Sequence, residues 1–137
     1  MRYDDWPARL DHFLESRRAS SFRYGVHDCC LFAADAVHSI TGSDPAAEFR
    51  NTYHSRRGAL RCLGGRSIRE LAAEVFTRRG FTAIGAGCAQ RGDVVLLSLG
   101  GGETLGVIAL DSRPVAASAS GWMSTTRDRV RAAWRVC

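Results

Sequence analysis

Gly25-Val26-His27-Asp28-Cys29-Cys30-Leu31-Phe32-Ala33-Ala34-Asp35-Ala36-Val37 is the stretch from which the fold of this chain is read. From Leu31 onward, apolar residues fall on nearly every side of a helical wheel. A helix of that kind belongs inside a core rather than on its surface. It is expected to run from Asp28 to about Thr41, with Gly42 ending it. Asp28 stands at the N-cap position, where a short carboxylate accepts the free N–H groups of the first turn. Cys29 then lies in that turn, where free N–H groups and the positive end of the helix dipole favour a thiolate. The thiolate is the attacking form of a cysteine nucleophile. A small thiol that merely fills space at a helix start fits the same spacing, and both readings stay open here. Cys30, about 100° further round the helix, is expected to face the core.

Upstream, Trp6, Leu10, Phe13 and Leu14 recur at helical spacing between Asp5 and about Arg18, with Asp5 as a cap and Pro7 in the first turn. Phe22-Arg23-Tyr24-Gly25 reads as an extended lead-in to a turn. Downstream, Asp44 to Phe49 gives a short helical turn. Ser55 to Leu63 and Ser67 to Arg79 read as two further helices, split by Gly64-Gly65 and stopped by Gly80. Ser67 with Glu70 forms a capping-box pattern. The character then changes. Val94-Val95-Leu96-Leu97 is a β-type run introduced by Arg91-Gly92-Asp93, and Gly100-Gly101-Gly102 is a hairpin turn. Thr104 to Leu110, Arg113 to Ser118, and the alternating Ala132, Trp134 and Val136 complete the strands. Helices first and a small antiparallel sheet afterwards is the α+β pattern. The expectation is one domain over residues 1–137, with the central helix packed on the C-terminal sheet.

The chain has 137 residues, 45% hydrophobic and 24% charged, and a net charge of +5. These are ordinary values for one globular domain. Every cationic residue other than histidine is Arg, and no Lys occurs. The Arg residues are scattered along the chain rather than gathered into one stripe with aromatics between them, so nucleic acid is not an expected partner. They are expected on solvated helix faces and in contacts with acidic protein neighbours. No run approaches the roughly 18 apolar residues of a membrane span. The opening Met1-Arg2-Tyr3-Asp4-Asp5-Trp6-Pro7 has no apolar core after a basic start, so synthesis and folding in a cytoplasm are expected. The five cysteines include an adjacent pair and lack the spacing of a disulfide framework. They also lack the paired spacing of zinc ligands, and the glycine run lacks the Lys and Ser/Thr of a phosphate loop. No metal or cofactor is expected.

Four stretches, taken in order, resemble the NlpC-type, papain-like cysteine peptidases. They are Phe22-Arg23-Tyr24-Gly25, Asp28-Cys29-Cys30-Leu31, Gly92-Asp93-Val94-Val95-Leu96 and Leu105-Gly106-Val107-Ile108. In that class the corresponding elements are a tyrosine lead-in, the nucleophile at the start of the central helix, the first sheet strand, and a strand bearing the general-base histidine. The chain is closer still to a branch found in tailed-phage and prophage tail proteins. That likeness spans Gly25 to Val37, Thr41-Gly42-Ser43-Asp44, the Arg50 to Leu60 stretch and Ala133-Trp134-Arg135-Val136. The resemblance implies a papain-like fold with Cys29 as candidate nucleophile and Asp28 as its helix cap. It implies a cleft lined by Phe22, Tyr24 and Leu105. It further implies residence in the virion tail, with tail-tip or hub proteins as neighbours.

The departures from the class carry equal weight. Leu105 or Thr104 stands where the general base should be, and Phe22 stands where the lead-in tyrosine would supply a hydroxyl. The strand expected to carry the residue that orients the base reads Pro114-Val115-Ala116-Ala117-Ser118. All four histidines, His12, His27, His38 and His54, precede the sheet. A Cys–His enzyme needs its base within hydrogen-bond reach of the sulfur. His54 is a weak candidate to replace it by folding back and His27 a weaker one; His38, roughly 13 Å along the same helix, is too far, and a solvated face is the default expectation for all four. The resemblance with its missing base therefore points first to a structural or assembly role at a tail tip. An active peptidoglycan-cleaving peptidase or amidase using Cys29 is the alternative. A third reading keeps the groove as a binding cleft, made less polar by Leu105, for a segment of a hub protein.

Overall fold

The computed structural model describes residues 1–137. Four α-helices come first: α1 (Trp6–Ser16), α2 (Leu31–Thr41), α3 (Arg56–Leu63) and α4 (Ile68–Arg78). Six strands follow: β1 (Thr82–Ile84), β2 (Val94–Leu99), β3 (Gly102–Ile108), β4 (Pro114–Ser118), β5 (Gly121–Ser124) and β6 (Val130–Arg135). They form one antiparallel sheet in the order β1-β6-β2-β3-β4-β5. The protein is α+β. No helix is long and apolar enough to cross a membrane.

The sheet is buried on both faces. Val94, Leu96, Leu105, Val107 and Trp134 point to the helices and join Leu10, Phe13, Phe32, Val37 and Ile40 in the main core. Val95, Leu97, Ile108, Ala116, Val130 and Ala133 form a smaller cluster on the opposite face. That is why β2 reads as an unbroken apolar run instead of alternating. Phe32, Val37 and Ile40 of α2 are at most 1% exposed. Burying a side chain of this size contributes roughly 1.5–3 kcal/mol, which makes α2 the anchor of the helical layer.

Several expectations are corrected. The regular part of α2 begins at Leu31, three residues after Asp28, although Phe32 N–H already bonds the Asp28 carbonyl at 3.1 Å. Asp5 does not cap α1; its carboxylate takes Arg9 one turn on, at 2.7 Å. Two strands, β1 and β5, were not expected. Each is short and lies at an edge of the sheet.

Several arginines also stay within the molecule instead of reaching for neighbours. Asp93, fully buried, accepts Arg2 Nη2 at 2.9 Å, Arg135 Nε at 3.0 Å and the backbone N–H groups of Gln90 and Val136. It thereby clasps the N-terminus to β6. Arg50 spans Asp35 at 2.5 Å and Asp44 at 2.7 Å, while Arg17 reaches Asp35 at 2.9 Å. A buried carboxylate costs several kcal/mol in lost hydration, which pairing with arginine offsets.

Candidate functional site

The 23–31 segment is folded by its own polar atoms. Asp28, 2% exposed, spends both carboxylate oxygens on nearby donors. Oδ1 accepts Cys30 N–H at 3.1 Å and Leu31 N–H at 2.9 Å, which makes Asp28 the working cap of α2. Oδ2 accepts Gly25 N–H at 2.9 Å and the Tyr53 hydroxyl at 2.6 Å. Gly25 sits at φ +82°, and a Cβ there would come within 2.2 Å of the Tyr53 carbonyl oxygen. Only glycine allows both the left-handed turn and this approach. Tyr53 is itself buried, and burial together with its bond to Asp28 pushes its phenol well above the usual range.

Cys29 is thereby held half-buried beside the first turn of α2. Its Sγ lies 4.0 Å from Cys30 Sγ. Hydrogen bonding with Cys30 holds the Cys29 thiol below its ordinary value, against burial and the Asp28 charge, which push it up. The same pairing and burial push the Cys30 thiol well up. Thr104 Oγ1, on β3, approaches the Cys29 carbonyl at 3.5 Å, and its hydroxyl also favours the thiolate.

The thiol opens onto a cleft of about 280 Å³ between the start of α2, helix α3 and the β2–β3 hairpin, and 13 of its 16 lining residues are hydrophobic. A side chamber of about 50 Å³ adjoins it. Cys30, Ala46, Phe49, Ile68 and Leu71 line both spaces.

The other sequence candidates fall in distinct places. Tyr24 lines the cleft with Asp28 and Cys29. Phe22 is 36% exposed and meets Tyr24 edge-on with ring centroids 5.0 Å apart. Leu105 is buried and faces the side chamber, next to Cys30. His54 is exposed and does not line the cleft.

His27 is 3% exposed, against the expectation of a solvated ring. Its Nε2 donates to the Gly121 carbonyl at 2.9 Å, its Nδ1 lies 3.3 Å from Arg17 Nη1, and its ring stands nearly perpendicular to that of Phe32, centroids 5.9 Å apart. With one nitrogen donating to a carbonyl and the other facing a guanidinium, the imidazole is a buried brace between α1, α2 and β5. The sequence reasoning missed Tyr53, Arg56, Cys62 and Glu103. A signal existed for the α3 wall: Arg56, Ala59, Leu60 and Leu63 follow the i, i+3, i+4, i+7 spacing of one helix face.

Chemically, the arrangement presents a thiol with a lowered proton affinity at the mouth of an apolar cleft. Its polar neighbours are a second thiol, a hydroxyl and a saturated carboxylate. No three His, Cys, Asp or Glu side chains come together as a metal-binding group. A protein family described as a domain of unknown function, DUF6950, matches residues 1–136, and the chain belongs to that family. A search of curated proteins returned no match.

Proposed function

We propose that this protein is a component of a phage or phage-like tail tip, built on a papain-like cysteine peptidase scaffold whose catalytic centre no longer works. It would reside in the virion tail after synthesis in the bacterial host, with tail-tip or hub proteins as neighbours. The observation that carries the loss of catalysis is the surroundings of Cys29. The β3 groups beside the two thiols are the Thr104 hydroxyl and the Leu105 side chain, neither of which takes a proton at neutral pH. His27, nearest in sequence, has both ring nitrogens engaged elsewhere. Losing a general base costs about 10²- to 10⁴-fold in rate. In support of the scaffold, a buried helix with a thiol at its start packs on an antiparallel sheet, in the chain order of the NlpC-type class. Purified tail particles from a producing host test the assembly role. The chain should be detected at the tip by mass spectrometry and immuno-electron microscopy; particles without it reject the reading.

One observation favours the alternative, an active peptidoglycan-cleaving peptidase or amidase. The Cys29 thiol is held below its ordinary value by Cys30, which is a requirement of a nucleophile. In that reading Cys29 attacks a stem-peptide amide, expels the amine and leaves a thioester that water resolves. Release of peptide fragments from peptidoglycan by the wild-type protein, and its loss in Cys29→Ser, would replace the first reading with this one.

A further inference from the structure

The geometry points to the cleft beneath α3 as a binding site for a straight-chain aliphatic carboxylate, its tail among the apolar walls and its head on Arg56. This assignment holds whether or not Cys29 performs chemistry.

Helix α3 buries no residue of its own. Its Ala59, Leu60 and Leu63 face the cleft, and Leu60 is still 56% exposed. An eight-residue helix whose apolar face meets a void instead of a core is a wall awaiting an occupant. The cleft holds the volume of about nine waters at ~30 Å³ each, yet its walls offer water few partners. The side chamber shares the wall of Ile68 and Leu71 with it and adds Ala72, Val75 and Phe76, so the apolar lining extends beyond the cleft itself. That suits a flexible chain of methylene groups better than a compact ring.

The head group follows from charge. Arg56 is the one cation lining the cleft, on the same helix face as Ala59, Leu60 and Leu63. Arg56, like Arg57 and several other surface arginines, forms no ion pair within the molecule, and its place in the cleft lining is what marks it out. A guanidinium presents paired donors that match a carboxylate. The cleft's own carboxylates do not compete for it. Asp28 is saturated by four donors, and Glu103 belongs to a different wall, on β3.

Decanoate, titrated into the full chain by calorimetry, is the test. A single saturable site is expected. Bound decanoate should slow iodoacetamide labelling of Cys29 and Cys62, which line the cleft, and leave Cys88 and Cys137, which are exposed, unchanged. Arg56→Gln should weaken binding about tenfold, the loss expected for one exposed charge-assisted contact. Arg57→Gln, outside the cleft lining, should bind as wild type. The proposal is overturned by absence of saturable binding, by equal loss in both variants, or by decyltrimethylammonium binding as tightly as decanoate. It is also overturned if an uncharged Leu-Leu-Ile peptide amide protects Cys62 as well as decanoate does, which would assign the cleft to a partner chain.

Discussion

The phenol of Tyr53 donates a 2.6 Å hydrogen bond to the Asp28 carboxylate, 25 residues earlier in the chain. That one contact ties the loop before α3 to the start of the buried helix. It also fixes the backbone that carries Cys29, because the same carboxylate caps α2 through its other oxygen.

Tyr53→Phe keeps the ring and removes the bond. A buried hydrogen bond to a charged acceptor contributes about 1.5–3 kcal/mol. Urea unfolding of the variant should show a loss of that order with an unchanged slope. An unaltered midpoint would mean that the loop is held by apolar packing alone.

Cys30→Ala removes the thiol that hydrogen-bonds with Cys29. The Cys29 thiol should then titrate at higher pH, because hydrogen bonding with Cys30 is the largest influence holding it down. At neutral pH the thiolate fraction falls, and iodoacetamide should label Cys29 several-fold more slowly. The rate-against-pH curve should move to higher pH as a whole. A curve that stays in place would show that the first turn of α2 alone sets the acidity.

Thr104→His puts an imidazole where the hydroxyl now approaches Cys29. If the scaffold is papain-like, a thiolate–imidazolium pair should form, and such pairing lowers a cysteine's pKa by one or more units. Labelling of Cys29 at pH 6 should then accelerate by about tenfold or more. No acceleration, in a variant that unfolds like wild type, would argue that β3 presents this position to the wrong side of the sulfur.

Arg50 serves two carboxylates at once, Asp35 and Asp44. Arg50→Gln should destabilise the protein by on the order of 3 kcal/mol, because it leaves a buried carboxylate short of a partner. Its pH dependence has a definite sign. The bond from Arg50 depresses Asp44, so that carboxylate contributes stability above its unfolded value of 3.8, lost as pH falls through the lower folded value. Without Arg50 the loss begins at higher pH. Asp35, raised by burial against the pull of Arg50, rises further without it; a carboxylate raised in the folded state favours folding as pH falls, so it opposes the Asp44 change. The general loss of stability and the Asp44 change still place the acid-unfolding midpoint, followed by circular dichroism, at higher pH in the variant.

The helices were legible because their signals are local. Ser67 and Glu70 form both halves of a capping box within one turn, and Gly42 closes α2 in the left-handed conformation. What escaped depends on partners far along the chain. His27 looked like a turn residue, and only Gly121, 94 residues away, makes it a buried brace. The arginines looked solvated until Asp93 gathered Arg2 and Arg135 across most of the chain. Strands β1 and β5 carry no long apolar run, because an edge strand of three or four residues is held by one neighbour. The thiol at the helix start was visible from Asp28-Cys29 alone. Its neighbour Thr104 was not, since the strand that delivers it lies 75 residues away.

Those two abbreviated borders of the sheet have a consequence for any larger assembly. Each leaves only a few backbone amides and carbonyls free, too few to template a seventh strand from another subunit. Self-association by ribbon stacking is thereby discouraged, and a neighbouring subunit must find its grip on side chains instead.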